Sequence, residues 1–326
     1  MRKVFLLIVL WSICLSIRAQ EKVDFEIDFL KSKKGFYWEG GGVPVGPEIT
    51  FSQSMLFSEL PTAVQFYAVS KKGRINYLTP KIWVDDLEVH LQLEFLLKSA
   101  QWEIDKPYQH QNFSEKLEQA TKNEKLELIG KNLDKLPAIY FLEAEKEKYP
   151  LEVVRDLFQK IPIETSNSIY AKKLEVYLTV KSITSPKSGD KIKNIELINS
   201  NNERQQLFKS DQKPKLLVLM NSESAYSLST ISLLSQFHEL VKEEYEIVTV
   251  WSDKSFDRWQ NYRADLKANI KWTNLLDIYG EAFNYFDEDL TPTFFVINPD
   301  GIIERKFRGF NKRIVSRLQA LSEAVE

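Results

Sequence analysis

From Gly189 to Glu326 the chain alternates strand-length apolar runs with helical patterns, and that alternation confines this part to a mixed-sheet α/β domain. Lys215-Leu216-Leu217-Val218-Leu219-Met220 reads as a buried strand that runs into a turn at Asn221-Ser222. A helix then starts at Ser224-Ala225-Tyr226-Ser227. A second buried strand covers 247–252, followed by a helix over 256–266, a short strand at 272–276 and a helix over 279–286. The chain closes with a strand over 293–298, a Pro299-Asp300-Gly301 turn, a strand over 302–307 and a helix from Asn311.

The upstream part is patterned differently. Val23-Asp24-Phe25-Glu26-Ile27-Asp28-Phe29 and residues 87–95 alternate apolar and polar with period two, as half-buried strands do. Residues 63–69 and 74–78 flank Ser70-Lys71-Lys72-Gly73, a hairpin turn by composition. These runs predict a small antiparallel β domain of sandwich type over 20–108. Gly40-Gly41-Gly42 lacks the Lys-Ser/Thr of a phosphate loop and reads as a turn. Over 109–184 the period becomes helical, with helices expected at 137–148, 150–161 and 166–181. Pro150 is expected in a first turn and Ser166 at an N-cap. Residues 182–188, with Pro186, read as a linker to the last domain, 189–326.

Residues 1–19 have the form of a secretory signal: basic Arg2 and Lys3, an apolar stretch over 4–17, and small Ala19 before Gln20. The stretch is shorter than the ~20 residues of a comfortable membrane span. The expectation is therefore secretion across the inner membrane to the periplasm, with no transmembrane anchor after cleavage; membrane anchoring or surface exposure is the lesser alternative. Cys14 is the sole cysteine and lies inside this segment, preceded by Ile13 instead of the small residue of a lipoprotein site. The mature chain would hold no thiol, and so neither disulfide staples nor a thiolate nucleophile. The net charge of −2 becomes about −5 without Arg2, Lys3 and Arg18, which argues against nucleic acid as a partner.

Leu290-Thr291-Pro292-Thr293-Phe294-Phe295-Val296-Ile297, with Pro299-Asp300-Gly301 and Gly309, resembles the cis-proline strand and hairpin of the thioredoxin-like superfamily. Gly189-Asp190-Lys191 with Ile195-Glu196-Leu197 is similar to that family's entry strand. Trp251-Ser252-Asp253, Trp259 and Trp272-Thr273-Asn274-Leu275 are similar to the central insertion of its TlpA/ResA-type, AhpC/TSA-related members. The layout of β domain, helical connector and C-terminal domain resembles envelope proteins of Bacteroidota. The resemblance implies a mixed central sheet flanked by helices. It also implies Cys-x-x-Cys at the strand–helix junction, where this chain has Ser224 and Ser227. The flanking tryptophan is replaced by Glu223, and the helper carboxylate six residues before the first cysteine by Val218. The redox function does not carry over. Pro292 does match, and in relatives the backbone beside that proline pairs with bound peptide. Glu223, Tyr226, Thr291 and Pro292 thereby become a candidate groove.

Each candidate also has a plain structural reading. Ser224 suits an N-cap, worth about 1 kcal/mol. Serine catalysis needs a base within hydrogen-bond reach. His238 lies fourteen residues beyond Ser224 on the same helix, about 21 Å away at 1.5 Å per residue. His90 and His110 belong to other segments. Tyr226 reads either as a recognition aromatic or as a surface tyrosine packing locally. No histidine pair or calcium-loop spacing points to a metal, Asp287-Glu288-Asp289 reads as a turn, and no cofactor is expected. The leading expectation is a redox-inactive polypeptide-binding or scaffold module of the periplasm, with a protein or peptide partner. The free N–H groups of the helix start suit a carboxylate or peptide carbonyl. The alternative is an oxidoreductase-family enzyme using partner thiols or non-thiol chemistry; a third reading has the groove filled by the protein's own side chains.

Overall fold

The computed structural model describes residues 21–323, apart from 32–35, 39–40, 43–44, 47, 58–59, 70–74, 97, 107, 210–211, 254–255 and 262–266. The signal-like segment with Cys14, and the turn expected at 70–73, lie outside the described residues.

Period-two alternation sets the N-terminal layers. In β1 (Glu21–Lys31) Val23, Phe25, Ile27 and Phe29 are buried, and their charged neighbours face outward. Strands β2 (Phe36–Trp38) and β3 (Gly41–Gly42) follow, then β4 (Ile49–Phe57), β5 (Thr62–Val64), β6 (Phe66–Val69), β7 (Ile75–Tyr77), β8 (Ile82–Val84), β9 (Glu88–Phe95) and β10 (Ala100–Ile104). One sheet has the order β10-β9-β1-β4, a second β3-β2-β6-β7, and β5 pairs with β8. The expected antiparallel arrangement needs one correction: β1 and β9 run parallel. Parallel neighbours require a crossover: β4 returns to the same sheet beside β1, and β5 to β8 then pass through the β5–β8 pair and the other sheet before β9.

A helical layer follows: α1 (Gln109–Gln119), α2 (Lys122–Gly130), α3 (Leu136–Glu145) with a 3-10 turn at Lys146–Lys148, α4 (Leu151–Phe158), α5 (Ile163–Ser166) and α6 (Ile169–Lys181). The N-cap of α6 is Ser168, whose hydroxyl accepts from the Ala171 N–H at 3.3 Å. Ser166, expected in that role, ends α5 and donates back to the Ile163 carbonyl at 2.9 Å. Pro150 sits at the N-cap of α4 rather than inside its first turn. Buried Trp83 of β8 packs among Tyr140 and Tyr170, joining the β layers to the helices. On the other side, Val176 and Val180 of α6 pack into the core of the C-terminal sheet.

That sheet has seven strands in the order β12-β11-β15-β14-β13-β16-β17. They are β11 (Glu196–Ile198), β12 (Arg204–Gln206), β13 (Lys215–Met220), β14 (Glu246–Trp251), β15 (Thr273–Leu276), β16 (Thr293–Ile297) and β17 (Ile303–Arg308). Between them lie α7 (Ala225–Val241), α8 (Phe256–Asn261) and a short helix at Glu281–Tyr285; a helix at Lys312–Glu323 follows β17. Strands β13, β14 and β15 are parallel, whereas β16 and β17 run antiparallel. Central β13 is buried throughout because both its faces are covered. Leu216, Val218 and Met220 meet α7 and the C-terminal helix, while Leu217 and Leu219 meet Phe286 and Val180. Leu228, Ile231, Leu234, Phe237 and Val241 give α7 one apolar stripe, each side chain contributing about 1.5–3 kcal/mol when fully buried. The antiparallel pairing of Leu219 with Thr293 brings the turn after β13 beside the loop before β16. That juxtaposition makes the site.

Candidate functional site

Ser224 precedes α7 in an extended conformation (φ −90°, ψ 113°), and its hydroxyl accepts from the Ser227 N–H at 3.3 Å. The same hydroxyl donates to the Thr291 carbonyl at 3.2 Å, tying the helix start to the loop opposite. The Thr291-Pro292 peptide is cis. Ser227 is fully buried, and its oxygen accepts from the Asn221 N–H at 3.2 Å. Pro292 is buried as well, its carbonyl accepting from Gly309 at 2.8 Å. Two of the residues expected on the surface therefore lie behind it. Glu223, Ser224 and Thr291 are half-buried, and the exposed apolar groups are Tyr226 at 61% and Leu290 at 53%.

Among the described residues no histidine reaches Ser224. His238 packs against Trp272 towards the other end of α7, with ring centroids 5.6 Å apart. His90 of β9 lies beside Glu26 at 2.9 Å, and His110 of α1 beside Asp85 at 3.0 Å. Among the described residues no cluster of His, Cys, Asp or Glu could hold a metal ion, and no helix is long and apolar enough to cross a membrane.

The N-terminal layers reach this face. The Tyr77 hydroxyl of β7 donates to Glu223 Oε1 at 2.6 Å, across 146 residues of sequence. Glu223 is thus a contact between the two parts of the molecule. The Glu223 N–H donates to Asn221 Oδ1 at 2.7 Å, and the Asn221 amide donates to Ser252 Oγ at 3.0 Å.

Directly beneath lies a polar cluster that the sequence did not single out. Buried Ser222 donates from its hydroxyl to Asp253 Oδ2 at 2.6 Å, and its N–H donates to Asp253 Oδ1 at 3.2 Å. Lys267 donates to Ser222 Oγ at 2.7 Å and to the Trp259 carbonyl, with Asp253 Oδ2 3.7 Å away and the Trp251 ring 4.7 Å away. The Lys267 side chain is 8% exposed and that of Asp253 1%. A lysine that donates to the serine is no general base toward it, and a serine sealed from solvent meets no substrate. The cluster is an anchor that fixes the turn.

A second anchor holds the facing loop. The Glu288 carboxylate is sealed from solvent and takes two bonds from Arg308, at 2.9 and 2.8 Å, besides an ion pair with Lys306. The fork geometry of the guanidinium suits such a carboxylate. At the end of β15, Asp277 accepts from the N–H groups of Glu281 and Phe283 at 2.6 and 3.0 Å. Full burial pushes its carboxyl up from 3.8 to about 6, against the pull of those N–H groups.

No family model matches the sequence. No curated protein matches it. Solved structures do align, over the C-terminal region. The thioredoxin domain of a thiol-disulfide oxidoreductase from Bacteroides vulgatus is 16% identical, covering 42% of this chain and 99% of its own, with a TM-score of 0.37. A thiol-disulfide oxidoreductase from Bacteroides fragilis is 15% identical over 40% and 99%, with a TM-score of 0.36. StoA from Bacillus subtilis is 19% identical over 41% and 97%, with a TM-score of 0.34.

Proposed function

We propose that this is an exported thioredoxin-like protein without redox cysteines, acting in the periplasm as a redox-inactive polypeptide-binding or scaffold module. Its recognition face comprises Glu223, Ser224, Tyr226, Leu290 and Thr291. The observation that carries this reading is what stands at the two cysteine positions. One hydroxyl is spent on the Thr291 carbonyl and the other is buried, while Tyr226 and Leu290 flank them in solvent. Exposed apolar side chains on an anchored frame suit contact with another chain, and a tyrosine adds a polar tip to a large apolar surface. The partner is a protein or peptide that meets these groups beside the Thr291 carbonyl.

The test is crosslinking co-purification of the protein from its native envelope, beside Tyr226→Asp and Leu290→Asp variants of matched thermal stability. A partner recovered with the native chain and lost from both variants supports the reading. A partner retained by both moves recognition to the N-terminal layers.

A further inference from the structure

A different surface carries an inference that does not depend on the groove. From Arg305 to Arg317 the sequence holds six basic residues and no acidic one, in a chain whose net charge is −2. These residues lie on β17, an end strand of the sheet, and on the C-terminal helix behind it. Lys306 and Arg308 are engaged with Glu288. Arg305 and Arg317 are exposed, and among the described residues neither has a carboxylate within 4 Å. They line a concavity of about 420 Å³ together with Ser188, over a floor of Phe307 and Leu321. The Arg317 guanidinium lies 5.4 Å above the Phe307 ring, which holds its planar fork in place.

Folding alone does not favour this arrangement. The C-terminal helix opens with Lys312-Arg313 and has no acidic residue in its first turn, where the helix dipole favours anions. Arg313 and Arg317 stand one turn apart on one face and repel each other. An anion from outside would relieve both. We infer that the face built from β17 and the C-terminal helix binds the phosphate groups of anionic lipid headgroups at a membrane surface. Guanidinium forks match phosphate oxygens. A single phosphate would leave most of the four cations not engaged with Glu288 uncompensated, whereas a lipid surface presents many phosphates. A basic residue at an anionic membrane surface gains about fivefold in affinity.

The test is co-sedimentation of the full chain with vesicles of equal phosphatidylglycerol and phosphatidylcholine, against pure phosphatidylcholine, at low salt. Binding is expected to the anionic vesicles alone. It should fall roughly 25-fold in Arg305→Ala/Arg317→Ala, at about fivefold per cation. The charge-matched pair Lys116→Ala/Lys160→Ala, exposed elsewhere, should change it less than about twofold. Should the arginine pair lower the melting temperature, Arg305→Glu alone replaces it and should also weaken binding. Equal losses in the two pairs would reduce the effect to net charge and overturn the inference, as would no binding to anionic vesicles. Displacement from vesicles by inorganic phosphate at matched ionic strength would assign the site to a free anion. Tighter binding of polyglutamate than of vesicles would assign it to an acidic polypeptide. Either result overturns the lipid assignment.

Discussion

Ser222 and Tyr226 stand four residues apart in one turn and meet opposite environments. Ser222 is sealed from solvent and joined to a buried aspartate and lysine; Tyr226 is 61% exposed at the start of α7. The polar, charge-bearing layer faces inward, and the layer that meets solvent carries the Tyr226 ring. The difference teaches that the charged groups hold the surface in place, and the recognition role proposed above rests on what that surface presents. Substitutions in the two layers should therefore have opposite consequences.

The largest effect is expected from breaking the lower layer. Lys267→Ala leaves the Asp253 carboxylate buried without its cation and should cost about 3–5 kcal/mol in urea unfolding, as should Asp253→Ala by the converse. A cost below about 1 kcal/mol would mean that the pair does not anchor the turn. Next comes a pH effect from Asp277. Its carboxyl is raised to about 6, so between pH 4 and 6 the folded chain holds a proton that the unfolded chain releases. That stabilisation is complete below about pH 4 and lost as pH rises through 6, amounting to about 3 kcal/mol for a two-unit rise. On going from pH 4.5 to 7.5 the native chain should lose more unfolding free energy, or gain less, than Asp277→Asn, which has no proton to lose. An unchanged difference would assign the pH dependence to other groups.

Smaller effects sharpen the contrast. Ser224→Ala removes the N-cap and the bond to Thr291 and should cost about 1 kcal/mol. Tyr226→Ala should stay within about 0.5 kcal/mol of the native stability, since the ring is mostly in solvent. Matched thermal melts decide both. A loss of 2 kcal/mol at Tyr226 would show the ring to be a structural part of the turn.

The sequence made the frame legible where short-range patterns set the structure. The apolar run ending at Met220 can only be a covered strand, and a serine before an apolar periodic run is a natural cap at Ser224. Where two equivalent serines lie close together, pattern alone misplaces the cap. Ser168 takes it and Ser166 does not, because a short helix intervenes. The parallel pairing of β1 with β9 was hidden because alternation fixes which face is buried and leaves strand direction open. The anchors were the least legible part. Ser222, Asp253 and Lys267 are brought together across 31 and 45 residues, and no local spacing announces such a cluster. Glu288 sits in an acidic run that reads as a solvated turn, yet its side chain is wholly enclosed. The Tyr77–Glu223 bond spans two structural layers and has no signal in composition or period.

The most direct measurement is site-specific photocrosslinking in living cells, with a benzophenone side chain at position 226 or at position 240. Both native residues are exposed on α7, Leu240 at 67%, so accessibility alone does not separate them. A face built for recognition predicts a discrete adduct from position 226 and none from position 240. No adduct from 226, or the same adduct from both, would contradict it.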